Sequence, residues 1–340
     1  MTPLRCYFHP DYEYPLPEKH PFPMQKFRLS AQLLSASPLQ DVLEVMAPDC
    51  IPDAQVERVH TSGYLNRLKL ATLDEHHQKR IGLPMRKHSL YERSRLEVSG
   101  TVAAVRDAFS SGIGFNLAGG THHAYPDSGS GYCVLNDVAV AICFLQSELA
   151  TPDVQIMVID TDAHQGNGTH KIFEQDPNVF TYDIHVGQNF PSHKERGSKD
   201  VALRRWVSGT EYMEKLEQTL PDCIDQFEPD FIFWISGADP HLCDRFGQMD
   251  LTTMEMDQRN QFVMQQIIKS TAPVAVLFGG GYHAYPDETG TLHARAVLQA
   301  TAVFLQNQKM NSAVECLTRS LQHSRMQVIE KEVSRIGKKV

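Results

Sequence analysis

The feature that most limits the fold of this chain is a series of short apolar runs, rich in β-branched and aromatic residues, that alternate with helical patterns. VQIMVID (154–160), VFTYDIH (179–185), DFIFWISGAD (230–239) and PVAVLFGGG (273–281) are such runs, and FNLAG (115–119) is a shorter one. They lack the strict polar–apolar alternation of a strand with one face in water, so each reads as a strand covered on both faces. Between them, residues 94–110, 135–149, 209–226 and 292–307 carry helical patterning. Thr252 and Glu255 form a capping box that opens a further helix running to about Lys269. Buried strands alternating with helices define an α/β fold, with a mostly parallel central sheet between two layers of helices.

In open sheets of this kind ligands bind beyond the carboxyl ends of the strands. The apolar run ending at Leu117–Ala118 is followed by GGTHHA, and the run ending at Val158–Ile159 by DTDAH. SGAD follows Trp234–Ile235, and GGGY follows Leu277–Phe278. Four strands therefore deliver His, Asp and Tyr to one edge of the sheet. A purely structural protein has no need of such an edge.

With 340 residues and no internal repeat or Gly/Ser linker, the chain reads as one large domain over 1–340, its active edge built from about 115–285. Hydrophobic content of 41% and charged content of 21% fit a globular protein, and no apolar run is long enough to span a bilayer. The start, MTPLRCYFHPDYEYP, has no apolar signal core, so a cytoplasmic location is expected. A net charge of −9 argues against direct nucleic-acid binding and is compatible with cationic substrates. The seven cysteines are scattered and form no CxxC, which suggests reduced thiols rather than a disulfide framework or a thiolate metal site.

Asp160, Asp162 and His164 alternate as a strand runs out and so project to one side. Carboxylates and a neutral imidazole suit a divalent metal, and Asp239 ends another strand at the same edge. Three protein ligands leave a position open for water and substrate. Alone, DxDxH is as well explained by a hydrogen-bonded turn; GAD and the histidine pair at the same edge favour the metal. His122 and His123, which alone would suggest a solvated loop, can there supply the base and acid of a hydrolysis. The hydroxyl of Tyr282 can donate to an oxyanion, although a tyrosine after a glycine-rich turn is often only packed.

These motifs carry a family resemblance. GGTHHA (119–124), GYCVLNDVAVA (131–141), DTDAHQGNGT (160–169), GADPHLCDRFG (237–247) and GGGY (279–282) resemble, in order and spacing, the zinc-dependent histone deacetylases of the arginase/deacetylase fold. HPFPMQKF (20–27) and IGLP (81–84) are most similar to class IV deacetylases and their bacterial relatives. The resemblance implies a single-domain three-layer fold and an amidohydrolase that removes an acyl group from an amine. It implies one Zn²⁺ held by Asp162, His164 and Asp239, Tyr282 as oxyanion donor, and His122 and His123 as the tandem catalytic histidines. Asp160 would orient His122, and Asn167 would partner His123. Gly131, Tyr132 and Phe190 would line the substrate channel. A structural K⁺ would involve Asp160, Asp183 and Ile184 with backbone oxygens of Asp162 and His164.

The chain departs from the class I pattern at Gln165, where many members have a second histidine, and at Asn167, where they have a carboxylate. Asp183 stands where the family often has serine. The implied substrates are acyl-lysine proteins or peptides, with acetyl or longer chains, and acylated polyamines as the alternative. No glutamate gatekeeper for a polyamine is evident in the 187–200 loop, although Glu195 lies there. A two-manganese ureohydrolase would need GGDHS and a second acidic pair, and an inactive binding module would be expected to lack part of the active set. The sequence leaves oligomeric state open.

Overall fold

The computed structural model describes residues 3–149 and 153–308, so the C-terminal part of the expected 1–340 domain and Cys316 lie outside the described residues. Eight strands form one sheet: β1 (Leu4–Tyr7), β2 (Leu43–Met46), β3 (Ile113–Asn116), β4 (Ile156–Asp160), β5 (Val179–Val186), β6 (Lys199–Leu203), β8 (Phe231–Ile235) and β10 (Val274–Leu277); β7 (Val207–Ser208) and β9 (Met249–Asp250) pair separately. The order across the large sheet is β2-β1-β3-β10-β8-β4-β5-β6. Every pairing is parallel, so all eight carboxyl ends face the same edge. The strands expected to deliver chemistry, β3, β10, β8 and β4, are the four adjacent strands at its centre.

Every residue of those four strands is buried. That is the property read from their unbroken apolar runs, and it follows from helices lying on both faces. One layer contains the helix Ser89–Ser111, packed on β1, β3 and β10, with Asp137–Phe144 beside it. The other is a row of Lys26–Ser35, Pro286–Asn307, Thr253–Ser270 and Gly209–Phe227, each against the next. A buried Arg295–Asp257 pair ties two helices of that row together. The apolar side chains of both layers join one continuous core.

Boundaries shift where backbone chemistry intervenes. The strand expected over 115–119 ends at Asn116, because Gly119 and Gly120 take positive φ and turn the chain away. The helix expected from 292 begins at Pro286, whose fixed φ suits a first helical position. The capping box at Thr252 and Glu255 is present. Among the described residues the cysteines are free, and no helix is long and apolar enough to cross a membrane.

Candidate active site

Beyond the ends of β4 and β8, Asp162, His164 and Asp239 are buried and turn their ligand atoms within 4.8 Å of one another. His164 Nδ1 lies 3.1 Å from Asp162 Oδ1 and 2.8 Å from Asp239 Oδ2. Backbone donors steady both carboxylates: Gly280 N–H donates to Asp162 Oδ2, and Ala163 N–H to Asp239 Oδ1. A Cβ at Gly280 would stand 2.1 Å from Asp239 Oδ2, so only glycine lets this turn close over the cluster. Among the described residues neither carboxylate has a lysine or arginine ion-pair partner. Burial and the neighbouring Asp162 charge push Asp239 up to about 7. The two carboxylates repel each other and both draw on the single His164 ring, which, against burial, their hydrogen bonds and charges raise well above the usual imidazole range; two oxygen donors and one imidazole nitrogen so placed fit a divalent metal.

His122 and His123 stand beside this cluster with their Nε2 atoms 3.1 Å apart. His122 Nδ1 is 2.6 Å from Asp160 Oδ2. Burial opposes a charge on His122, but Asp160 and Asp162 outweigh it and raise its pKa to about 9. His123 is driven well below the usual imidazole range by burial and by the positive His122. Its Nδ1 faces Asn167 Oδ1 at 2.9 Å. The two neighbours are thus pushed apart, one toward an acid and one toward a base.

Asp137, from the ND pair of the 131–141 motif, holds the histidine loop in place. One carboxylate oxygen accepts from Gly120 N–H and Thr101 Oγ1, the other from Thr121 N–H and Oγ1. Asn136 caps the following helix and donates to the Ala124 carbonyl.

Tyr282 is buried, its ring 6.1 Å from His164. Asp244 accepts its N–H at 2.6 Å, and Arg245 donates to its carbonyl at 2.6 Å. Burial and the Asp162 and Asp239 charges keep its phenol protonated. Tyr132, at φ 67°, is fixed by donating its N–H to the Ile81 carbonyl, as Gly131 does to Arg80. A Cβ on Gly131 would stand 2.7 Å from both the His123 and Phe190 rings, and Phe190 packs edge-on to His123 at 4.9 Å. Tyr132, Phe190, Phe246 and Tyr282 wall a cavity of about 320 Å³ that has His123 and His164 among its lining residues. A second cavity of about 30 Å³ lies against His122, His123 and Tyr282, bounded by Phe22 and Lys26.

Asp183 lies opposite Asp160 in the β4–β5 register. Its carboxylate is committed to His185 at 2.7 Å, Gly166 N–H at 2.7 Å and His170 at 3.4 Å. Ile184 is buried within β5. Glu195 does not line the cavity; its carboxylate accepts from Tyr125 instead. Sequence reasoning passed over Asp137, Tyr125, Asp244 and Lys26. Asp137, Asp244 and Lys26 stand inside the motifs that carry the family resemblance, whereas Tyr125 offers no pattern of its own. Lys26 is buried, its Nζ donating to the Gly279 carbonyl.

A parallel sheet whose central strand ends assemble a carboxylate–imidazole cluster, paired histidines and a buried tyrosine has the layout of a hydrolase acting on amide bonds. Residues 20–298 match the model of the histone deacetylase domain. The chain belongs to the histone deacetylase family, within the arginase/deacetylase superfamily, and is an amide-bond hydrolase of it. A protein of Picosynechococcus described as uncharacterized is 38% identical over 275 residues, covering 81% of this chain and 91% of that protein. The acetoin utilization protein AcuC of Staphylococcus aureus is 28% identical over 290 residues, covering 79% and 74%. The fold is shared with an acetylpolyamine aminohydrolase from Burkholderia pseudomallei, at TM-score 0.69 and 21% identity over 88% of this chain and 99% of that one. It is shared equally with the HDA15 HD domain, at TM-score 0.70 and 19% identity over 94% and 99%.

Proposed function

We propose that this protein is a zinc-dependent lysine deacetylase, a single deacetylase-like domain over 1–340 that hydrolyses Nε-acetyl-lysine. The observation that carries the reading is the convergence of Asp162, His164 and Asp239 with His123 and Tyr282 where an apolar cavity reaches the sheet edge. Zinc held by those three ligands would supply Lewis acidity toward the amide carbonyl and the attacking water. His123 accepts the water's proton through Nε2, since its Nδ1 is turned to Asn167. His122, held by Asp160, stabilises charge beside it. Tyr282 donates its hydroxyl to the oxygen that becomes negative, and the departing amine takes a proton from the histidine pair. A K⁺ at Asp160, Asp183 and the backbone oxygens of Asp162, His164 and Ile184 belongs to the same proposal, with Asp183 engaged by its protein neighbours.

Two observations support acetyl-lysine over the alternatives. The cavity lining contains Lys79 and Arg80 and no carboxylate, which disfavours a polyamine carrying several positive charges. The inner cavity is small, about 30 Å³, and the charged Lys26, Arg93 and Glu97 are among its lining residues. That suits an acetyl methyl and not a fatty chain. The test is kcat/KM for acetyl-, octanoyl- and myristoyl-lysine peptides beside acetylated polyamines. Acetyl-lysine is expected to lead by about tenfold or more, roughly the discrimination a methylene or a charge provides. Equal turnover of acetylspermidine would reverse the assignment.

A further inference from the structure

Behind His123 the hydrogen bonds continue. Asn167 Nδ2 donates to the hydroxyl of Tyr125 at 2.8 Å, and that hydroxyl donates to Glu195 Oε1 at 3.1 Å. Gln165 clamps the same glutamate from the other side: its Nε2 donates to the Glu195 carbonyl at 2.9 Å, and its Oε1 accepts the Glu195 N–H at 3.0 Å. Gln165 and Asn167, the two positions that depart from the class I pattern, therefore both lead to Glu195. His193 Nε2 also approaches this carboxylate, at 3.5 Å, and is highly exposed.

The chain of bonds has a direction set by its end. An ionised carboxylate can only accept, so Tyr125 spends its one O–H on Glu195. The tyrosine oxygen can then only accept, which turns the Asn167 amide nitrogen toward it and the amide oxygen toward His123. An amide oxygen can only accept, so His123 carries its proton on Nδ1 and leaves Nε2 bare. That bare nitrogen faces His122 Nε2 and the reaction centre. A neutral asparagine alone could present either end to the ring; the tyrosine and glutamate remove the choice.

We propose that Tyr125 and Glu195 are positioning residues that fix the tautomer of His123 through Asn167, replacing the carboxylate that otherwise partners this histidine. The proposal rests on the deacetylase reading for its catalytic consequence, but the tautomer itself does not depend on turnover. In Tyr125→Phe the amide is free to turn. kcat is expected to fall about tenfold, a fraction of the 10²–10⁴ that general acid–base catalysis contributes, with KM within about twofold. In an Asn167→Asp background the same change should cost less than about twofold, because a carboxylate presents an acceptor whichever way it turns. Equal loss in both backgrounds would make Tyr125 a packing residue and overturn the proposal, as would an unaltered Tyr125→Phe enzyme. Independently, ring ¹⁵N shifts of the zinc-loaded protein should show His123 protonated on Nδ1 and become mixed in Tyr125→Phe. Protonation on Nε2 in the wild type would overturn the relay whatever the activity. A wild type with the Nδ1–H tautomer but no turnover of acyl-lysine would strike the deacetylase reading and leave the relay standing.

Discussion

Tyr282 illustrates how a residue acquires a role from its surroundings. A phenol kept protonated by burial and by the Asp162 and Asp239 charges, with its backbone pinned by Asp244 and Arg245, retains an O–H to donate. Tyr282→Phe is expected to keep fold and zinc content while kcat falls about 10²–10³-fold, the usual cost of losing an oxyanion donor. A variant within threefold of wild type would reduce the tyrosine to packing. Asp162, His164, Asp239 and the histidine pair were legible in the sequence because each directly follows an apolar run whose end could be located. Tyr125 and Glu195 were not. Their proposed role runs through bonds to Asn167 and to each other, across 70 residues of chain, and no local pattern records such a partnership.

At the scale of elements, the unbroken apolar runs identified the central strands, and the parallel sheet followed from their alternation with helices. The order across the sheet was not legible, because adjacency depends on which crossovers pack over which face. β1, β2 and β6 were missed for another reason: LRCY, LEVM and KDVAL are strands of four or five residues with no long apolar run. What couples element to site is the start of the helix Asp137–Phe144. Its first carboxylate satisfies four donors of Thr101 and the GGTHH loop, where a helix N-terminus also favours a negative charge. Asp137→Ala leaves the Gly120 and Thr121 N–H groups without their acceptor, while the two threonine hydroxyls keep the Glu97 and Leu135 carbonyls. Urea midpoints should report a loss of about 3 kcal/mol, with activity falling as the histidine loop loosens. A change under about 0.5 kcal/mol, the range of ordinary surface substitutions, would show that the loop holds its shape unaided.

For the whole molecule, burial of histidines outside the site sets a pH dependence of stability. His60 and His241 are both held down to about 4 by burial, against the usual 6.5 of an imidazole. Between those values the unfolded chain takes up protons that the folded chain refuses. Their stabilisation is therefore complete above pH 6.5 and declines as pH falls toward 4. The slope is about 1.4 kcal/mol per pH unit for each ring. His60→Asn should flatten the stability–pH curve in that window by about one such increment, measured by urea unfolding at pH 7, 6 and 5. An unchanged slope would mean that His60 titrates alike in both states.

The most direct test of the central claim is a stepwise zinc titration of metal-stripped protein, reading acetate release from an Nε-acetyl-lysine peptide. One cluster of Asp162, His164 and Asp239 predicts a rate that rises with added zinc and reaches its plateau at about one equivalent per chain. Full activity in the stripped protein, a plateau only at about two equivalents, or no acetate release at any zinc level would contradict it.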